Sequence, residues 1–175
     1  MQPTKLSVPP IPLTTAARER LFGRFSFKSA PALDNPEKIL VTDSWAKENL
    51  VKLSLPPIIA RAEGADIAWF HRLVAPRFVE LCEAWERAGL GPDILQWGGS
   101  YAARFMRGSK TLSAHAWGTA FDLNCRCNPL GRDTCLPPVR GNMVRLAAVA
   151  ETHGWAWGGR FKSRNDPMHL ELAKL

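Results

Sequence analysis

Leu112-Ser113-Ala-His115-Ala-Trp117-Gly118-Thr-Ala120-Phe121-Asp122-Leu123-Asn124 carries a histidine through a glycine-punctuated turn into an alternating stretch. From Ala120 the pattern is that of a strand: Ala120, Asp122 and Asn124 share one face, and Phe121 and Leu123 take the other, toward a core. Asp122 is expected to project into a cleft, with His115 brought to the same point by the turn. A second stretch, Asp166-Pro-Met-His169-Leu-Glu171, reads as a terminal strand over residues 168–172 with His169 and Glu171 on one face.

Working outward, residues 1–60 are proline-rich and are expected to be extended, with little regular structure, packing on or leading into a catalytic domain over residues 61–175. Short strands are expected at 38–42 (KILVT) and 50–55 (LVKLSL), edging the catalytic sheet. From Asp66, apolar residues recur at spacings of three and four as far as Ala88, ahead of Gly89. They predict an amphipathic helix, kinked or divided at Pro76. Residues 94–106 read as one or two strands around a glycine pair, 142–153 as a helix stopped by Gly154, and 155–157 as a strand. The fold class expected is α+β, a mainly antiparallel sheet flanked by helices.

The chain of 175 residues suits one domain, and its 46% hydrophobic and 22% charged residues lie in the globular range. No apolar run is long enough to span a membrane, and the first fifteen residues lack the apolar core of a secretory signal. A net charge of +7 predicts attraction to polyanions, including anionic envelope polymers. The basic residues are scattered and form no nucleic-acid module, so nucleic acid is the weaker partner. Cys82 reads as helix packing. Cys125, Cys127 and Cys135 supply too few ligands for a closed structural zinc site, leaving free thiols or one disulfide.

Two histidines and an aspartate with a fourth position left for water form a catalytic rather than a closed structural zinc arrangement. His71, beside a helical apolar stripe, and His153, at a helix end, read as ordinary structural residues.

In their order, these segments resemble the zinc peptidases that comprise D-Ala-D-Ala carboxypeptidases, vancomycin-resistance dipeptidases and phage L-alanyl-D-glutamate endopeptidases. That family's pattern is S-x-H-x-x-G-x-A-x-D followed by an acid-x-x-H, and the resemblance is closest to the phage endolysin-type branch. It runs from about Trp45 onward and takes in Gly99 to Ser109 and Gly154 to Gly159. The resemblance implies a fold shared with hedgehog-type signalling domains and one zinc ion on His115, Asp122 and His169. It implies Asp166 as acid/base, and Arg104, with Arg107 as the substitute, facing a developing oxyanion or a substrate carboxylate. Ser113, Glu171, Trp117 and Trp157 are candidates for supporting the ligands or contacting substrate, with Glu171 accepting from a ligand imidazole. Core packing is the plainer role for each tryptophan.

The implied activity is hydrolysis of peptidoglycan stem peptides, as an L-alanyl-D-glutamate endopeptidase ahead of a D-Ala-D-Ala carboxypeptidase or a non-catalytic zinc domain. Such a protein is expected to be a monomer, made in the cytoplasm and reaching the wall by another route. Cys125, Arg126 and Cys127, just after Asp122, depart from the small or apolar residues expected there.

Overall fold

The computed structural model describes residues 8–137 and 139–175. Helix α1 (Thr15–Phe22) follows the cluster Pro9, Pro10 and Pro12. The hydroxyl of Thr14 accepts the Ala17 N–H at 3.2 Å, pairing one of the donors that a helix start leaves open. Then come β1 (Phe27–Ser29), β2 (Ile39–Val41), α2 (Trp45–Asn49), β3 (Leu50–Ser54), α3 (Pro57–Ala60), β4 (Ile67–His71) and α4 (Ala75–Arg87). The remainder holds β5 (Trp97–Gly99), β6 (Ala120–Leu123), α5 (Val144–Thr152), β7 (Trp155–Trp157) and β8 (His169–Leu172). Short 3-10 turns occupy Gly91–Asp93, Ala114–Trp117 and Gly158–Arg160. The fold is α+β with antiparallel sheets, as expected.

Several expectations need correction. Residues 15–22 and 45–49 are helical, so the N-terminal third is more regular than its prolines suggest; the prolines stand outside these helices. The expected helix from Asp66 is a strand followed by a helix. Residues 67–71 pair antiparallel with β3 from Leu50↔His71 to Ser54↔Ile67, and Pro76 lies in the first turn of α4, where its missing N–H costs nothing. The strands at 39–41 and 50–54 do exist, but they pair with β1 and β4 in separate two-stranded sheets and do not edge the four-stranded one. Residues 100–106 supply only isolated bridges.

The four-stranded sheet runs β5-β6-β8-β7, wholly antiparallel. Phe121 of β6 is fully buried at the centre of an aromatic cluster, with ring centroids 4.9 Å from Phe78, 5.1 Å from Trp155 and 5.9 Å from Trp97. α4 lies against this face through Phe78, Leu81 and Trp85, and the Trp85 indole N–H donates to the Leu146 carbonyl of α5 at 2.9 Å. Phe22, Ile39 and Trp45 belong to the same buried cluster. Strand alternation therefore anchors β6 by one face and leaves Asp122 on the other.

Asn124 ends β6 with a positive φ of 54°. Its side chain accepts from the N–H groups of Leu95 and Gln96 and donates to the carbonyls of Asp93 and Gly141. It is thus an anchor for the loops around β5 and not a continuation of the cleft face. Beyond it, Cys127 and Cys135 form a disulfide with Cα atoms 5.6 Å apart, while Cys82 and Cys125 are free.

Replacing Cys127 and Cys135 by serine opens a loop of sequence separation 8. Chain entropy values such a closure at about 2–3 kcal/mol, or roughly 5–10 °C in melting temperature for a domain of this size. Thermal melts of the oxidised protein and the double variant measure the difference, and coincident curves would mean that the bridge contributes nothing.

Candidate metal centre

The antiparallel pairing of β6 with β8 sets Asp122 directly opposite His169, and cross-strand partners on one face are near neighbours. His115 comes from the 3-10 turn Ala114–Trp117, capped by Ser113, whose hydroxyl accepts the His115 N–H at 3.3 Å. The turn ends at Gly118, in the left-handed region at φ 65°. A Cβ there would meet the His71 backbone nitrogen at 2.8 Å, so only glycine lets the chain reverse this close to β4 and enter β6.

His115 Nε2, His169 Nδ1 and Asp122 Oδ1 converge. The two nitrogens are 3.1 Å apart, and the carboxylate oxygen lies 3.1 Å from His169 Nδ1 and 3.3 Å from His115 Nε2. The far nitrogen of each ring is already engaged. His115 Nδ1 lies 2.5 Å from the Ser100 carbonyl, and His169 Nε2 lies 3.0 Å from Glu171 Oε2. A carbonyl and a carboxylate can only accept, so the outer nitrogens carry the hydrogens and the inner ones present lone pairs. Three acceptor atoms thus face one point, which requires a proton or a cation between them. A tetrahedral zinc with bonds of about 2.0–2.1 Å spaces its ligand atoms about 3.3–3.4 Å apart, close to what these residues present. The donor set fits one such ion.

The charges agree with that geometry. Burial pushes the Asp122 carboxyl up, but the His115 and His169 imidazoles beside it outweigh burial and hold it well below the usual carboxylate range. Burial works against protonated His169, yet Asp122 and Glu171 more than offset it and raise this imidazole to about 10. Glu171, buried between its partners, is itself lowered: burial opposes this, while His169 and Arg18 hold the carboxylate ionised. Its second oxygen takes the Nη2 of Arg18, a buried residue of α1. Nothing in the sequence pointed to Arg18, which lies 153 residues from its partner.

A cleft of about 470 Å³ opens over the three groups. Arg104, Arg107, Ser113, Asp166 and Glu171 line it, and so do Cys125, Leu130 and Phe161. Asp166 is half-buried, with Oδ1 unpaired among the described residues; burial is the chief cause raising its carboxyl above the ordinary value. The Arg104 guanidinium donates to the Phe105 carbonyl at 3.2 Å and makes no ion pair among the described residues, while Arg107 is paired with Glu37 at 2.7 Å. Cys125 lines the wall as a neutral thiol, pushed up to about 12 mainly by burial.

Trp117 and Trp157 stand behind the cleft rather than in it. Trp117 donates to the Gly23 carbonyl at 3.0 Å, and Trp157 to the Pro167 carbonyl at 2.7 Å, bracing the loop that carries Asp166. His71 and His153 lie outside the cluster.

An α+β sheet bearing a histidine–aspartate–histidine cluster at the floor of a cleft defines a candidate metal-dependent site. Residues 107–172 of the chain match the sequence model of a family described as D-alanyl-D-alanine carboxypeptidase. That stretch is less than half of the chain; it contains His115, Asp122, Asp166 and His169 but neither Arg104 nor Arg18. No curated protein and no solved structure matches the chain.

Because His169 holds its proton up to about pH 10, an ion entering the cluster at neutral pH must expel it. Zinc titrated calorimetrically in buffers of differing ionisation enthalpy is expected to release about one proton per ion, with apparent affinity falling as pH drops. His115→Ala is expected to lose the tight site. Proton-free, pH-independent binding would show that zinc does not enter between these groups.

Proposed function

We propose that this protein is a zinc-dependent peptidase that hydrolyses a peptide bond in the stem peptides of peptidoglycan, with zinc held by His115, Asp122 and His169. The observation that carries this reading is the convergence of three lone-pair-bearing atoms, spaced as ligands of one tetrahedral ion, on the floor of a cleft. The match of residues 107–172 to a peptidase family supports the same conclusion.

Zinc in such a set supplies a Lewis acid that brings the pKa of water to about 7 and polarises a carbonyl. Asp166 then acts as general base, taking the proton of the attacking water and passing it to the departing amine. Its raised carboxyl suits both halves of that exchange, because the proton is easier to accept and remains available to donate. Arg104, without a carboxylate partner among the described residues, places its guanidinium toward the oxygen that gains charge or toward a substrate carboxylate. Ser113 fixes the turn bearing His115, and Glu171 fixes the His169 ring.

The favoured bond is L-alanyl-D-glutamate, making the protein a cell-wall lytic enzyme of endolysin type. The family description favours a second reading, D-Ala-D-Ala carboxypeptidase. In either case the enzyme works as a monomer outside the membrane. No helix among the described residues is long and apolar enough to cross a membrane. The basic surface is suited to retention on anionic wall polymers.

Digestion of purified sacculi followed by mass spectrometry separates the two readings, since loss of a terminal alanine and loss of a whole stem differ in mass. No released fragment would sink both. Asp166→Asn is expected to lower turnover about 10²- to 10⁴-fold with zinc still bound. In the wild type, kcat/KM is expected to fall as pH drops through a value above the ordinary aspartate range, because the base must be ionised. An acid limb left unchanged in the variant's residual activity would remove Asp166 from that role.

A further inference from the structure

Among the described residues of the N-terminal segment, Arg18 is the one buried residue whose charge reaches the candidate metal centre. It belongs to α1, is 7% exposed, and directs Nη2 to Glu171 Oε1. The other oxygen of the same carboxylate accepts from His169 Nε2 at 3.0 Å. Glu171 is 5% exposed and His169 6%, so the row is largely buried beneath the floor of the cleft. The Nε of Arg18 has no partner, and Glu171 is its only ion-pair partner among the described residues.

We propose that Arg18 is a positioning residue of the zinc site, acting on His169 through Glu171 and so making helix α1 part of the metal centre. The inference rests on the reading of His115, Asp122 and His169 as zinc ligands. A buried carboxylate touching only an imidazole is free to rotate about its terminal bond and to pivot away from the ring. With one oxygen held by a guanidinium, the other is fixed in direction, and that oxygen sets the plane and tautomer of His169. The Nδ1 lone pair then points at the position shared with His115 Nε2 and Asp122 Oδ1. Partners of this kind, one shell removed from the ion, typically contribute about 10- to 100-fold in metal affinity.

α1 is placed for this by its own packing. Phe22, at the helix end, is 2% exposed and lies with its ring centroid 5.0 Å from that of His71. The Gly23 carbonyl just beyond accepts from Trp117, two residues after the ligand His115. The helix is thus tied to the turn that carries one ligand and to the strand that carries another. Arg18 lies outside residues 107–172, the stretch that resembles the peptidase family.

The test is a double-variant cycle read as zinc dissociation constants, by competition with a fluorescent chelator on the full chain, together with the visible spectrum of the cobalt-loaded protein. Arg18→Met is expected to weaken zinc about 10- to 100-fold and to shift the cobalt bands, which report ligand geometry. Arg18→Lys, keeping charge but not the planar fork, is expected to recover part of the loss. In Arg18→Met combined with Glu171→Gln, zinc is expected to bind no more weakly than in Glu171→Gln alone, because the arginine acts through that carboxylate.

Wild-type zinc affinity and an unshifted cobalt spectrum in Arg18→Met would overturn the proposal and reduce the arginine to a prop of the fold. Additive losses in the double variant would overturn it as well. Should Arg18→Met not fold, Arg18→Gln takes its place with the same expectations. A wild-type protein that binds no zinc would instead refute the underlying assignment of the ligands, an outcome distinct from either of these.

Discussion

Three atoms that can only accept, crowded within hydrogen-bonding distance of one another at the floor of a cleft, are unstable unless something positive lies between them. His115 Nε2, His169 Nδ1 and Asp122 Oδ1 are in that position because their alternatives have been removed. The Ser100 carbonyl occupies the far side of one ring and Glu171 the far side of the other, so neither imidazole can turn its N–H inward without losing its outer partner. The architecture around them serves mainly to keep those outer acceptors in place. The register of β6 on β8 decides which residues meet, and the left-handed Gly118 decides where the turn before β6 can lie.

Rigidity reaches this point through the opposite face of β6. Asp122 is flanked in sequence by Phe121 and Leu123, both fully buried, and Phe121 packs against aromatic rings from α4, β5 and β7. A side chain on such a strand inherits the immobility of its neighbours, since moving it means moving a close-packed core. The Asp166 loop is held differently. Trp157 donates to the carbonyl of Pro167, Gly131 donates to that of Asn165 at 2.7 Å, and Asn165 reaches Asp133 at 2.6 Å. Gly131 and Asp133 both lie within the loop closed by the disulfide, so the covalent bridge and the acid/base candidate are mechanically connected.

What the sequence disclosed and what it withheld follow from range. His115, Gly118, Asp122, Asp166 and His169 sit in two short stretches whose spacing encodes a turn, a strand and a second strand, so their convergence was foreseeable once the strands were taken to pair. Local apolar spacing misled at residues 67–71, where a half-buried strand feeding directly into a helix has the same threes and fours as one long helix. Asn124 and Arg18 were beyond reach for another reason. Nothing adjacent in the chain marks a polar residue whose partners are 17 to 153 positions away, and both look like ordinary surface residues until folded. Trp117 and Trp157 looked suited to a cleft by type, but each is placed behind it by one hydrogen bond to a distant carbonyl.

The contact between His115 and the Ser100 carbonyl, taken with the buried arginine of α1, bears on where this molecule could be cut. A fragment excised at residue 107, where the likeness to the peptidase family begins, would retain every candidate ligand yet forfeit the acceptor behind the first imidazole and the guanidinium behind the second. The motif is portable as text, but the contacts that hold these lone pairs in place reach back to the first helix.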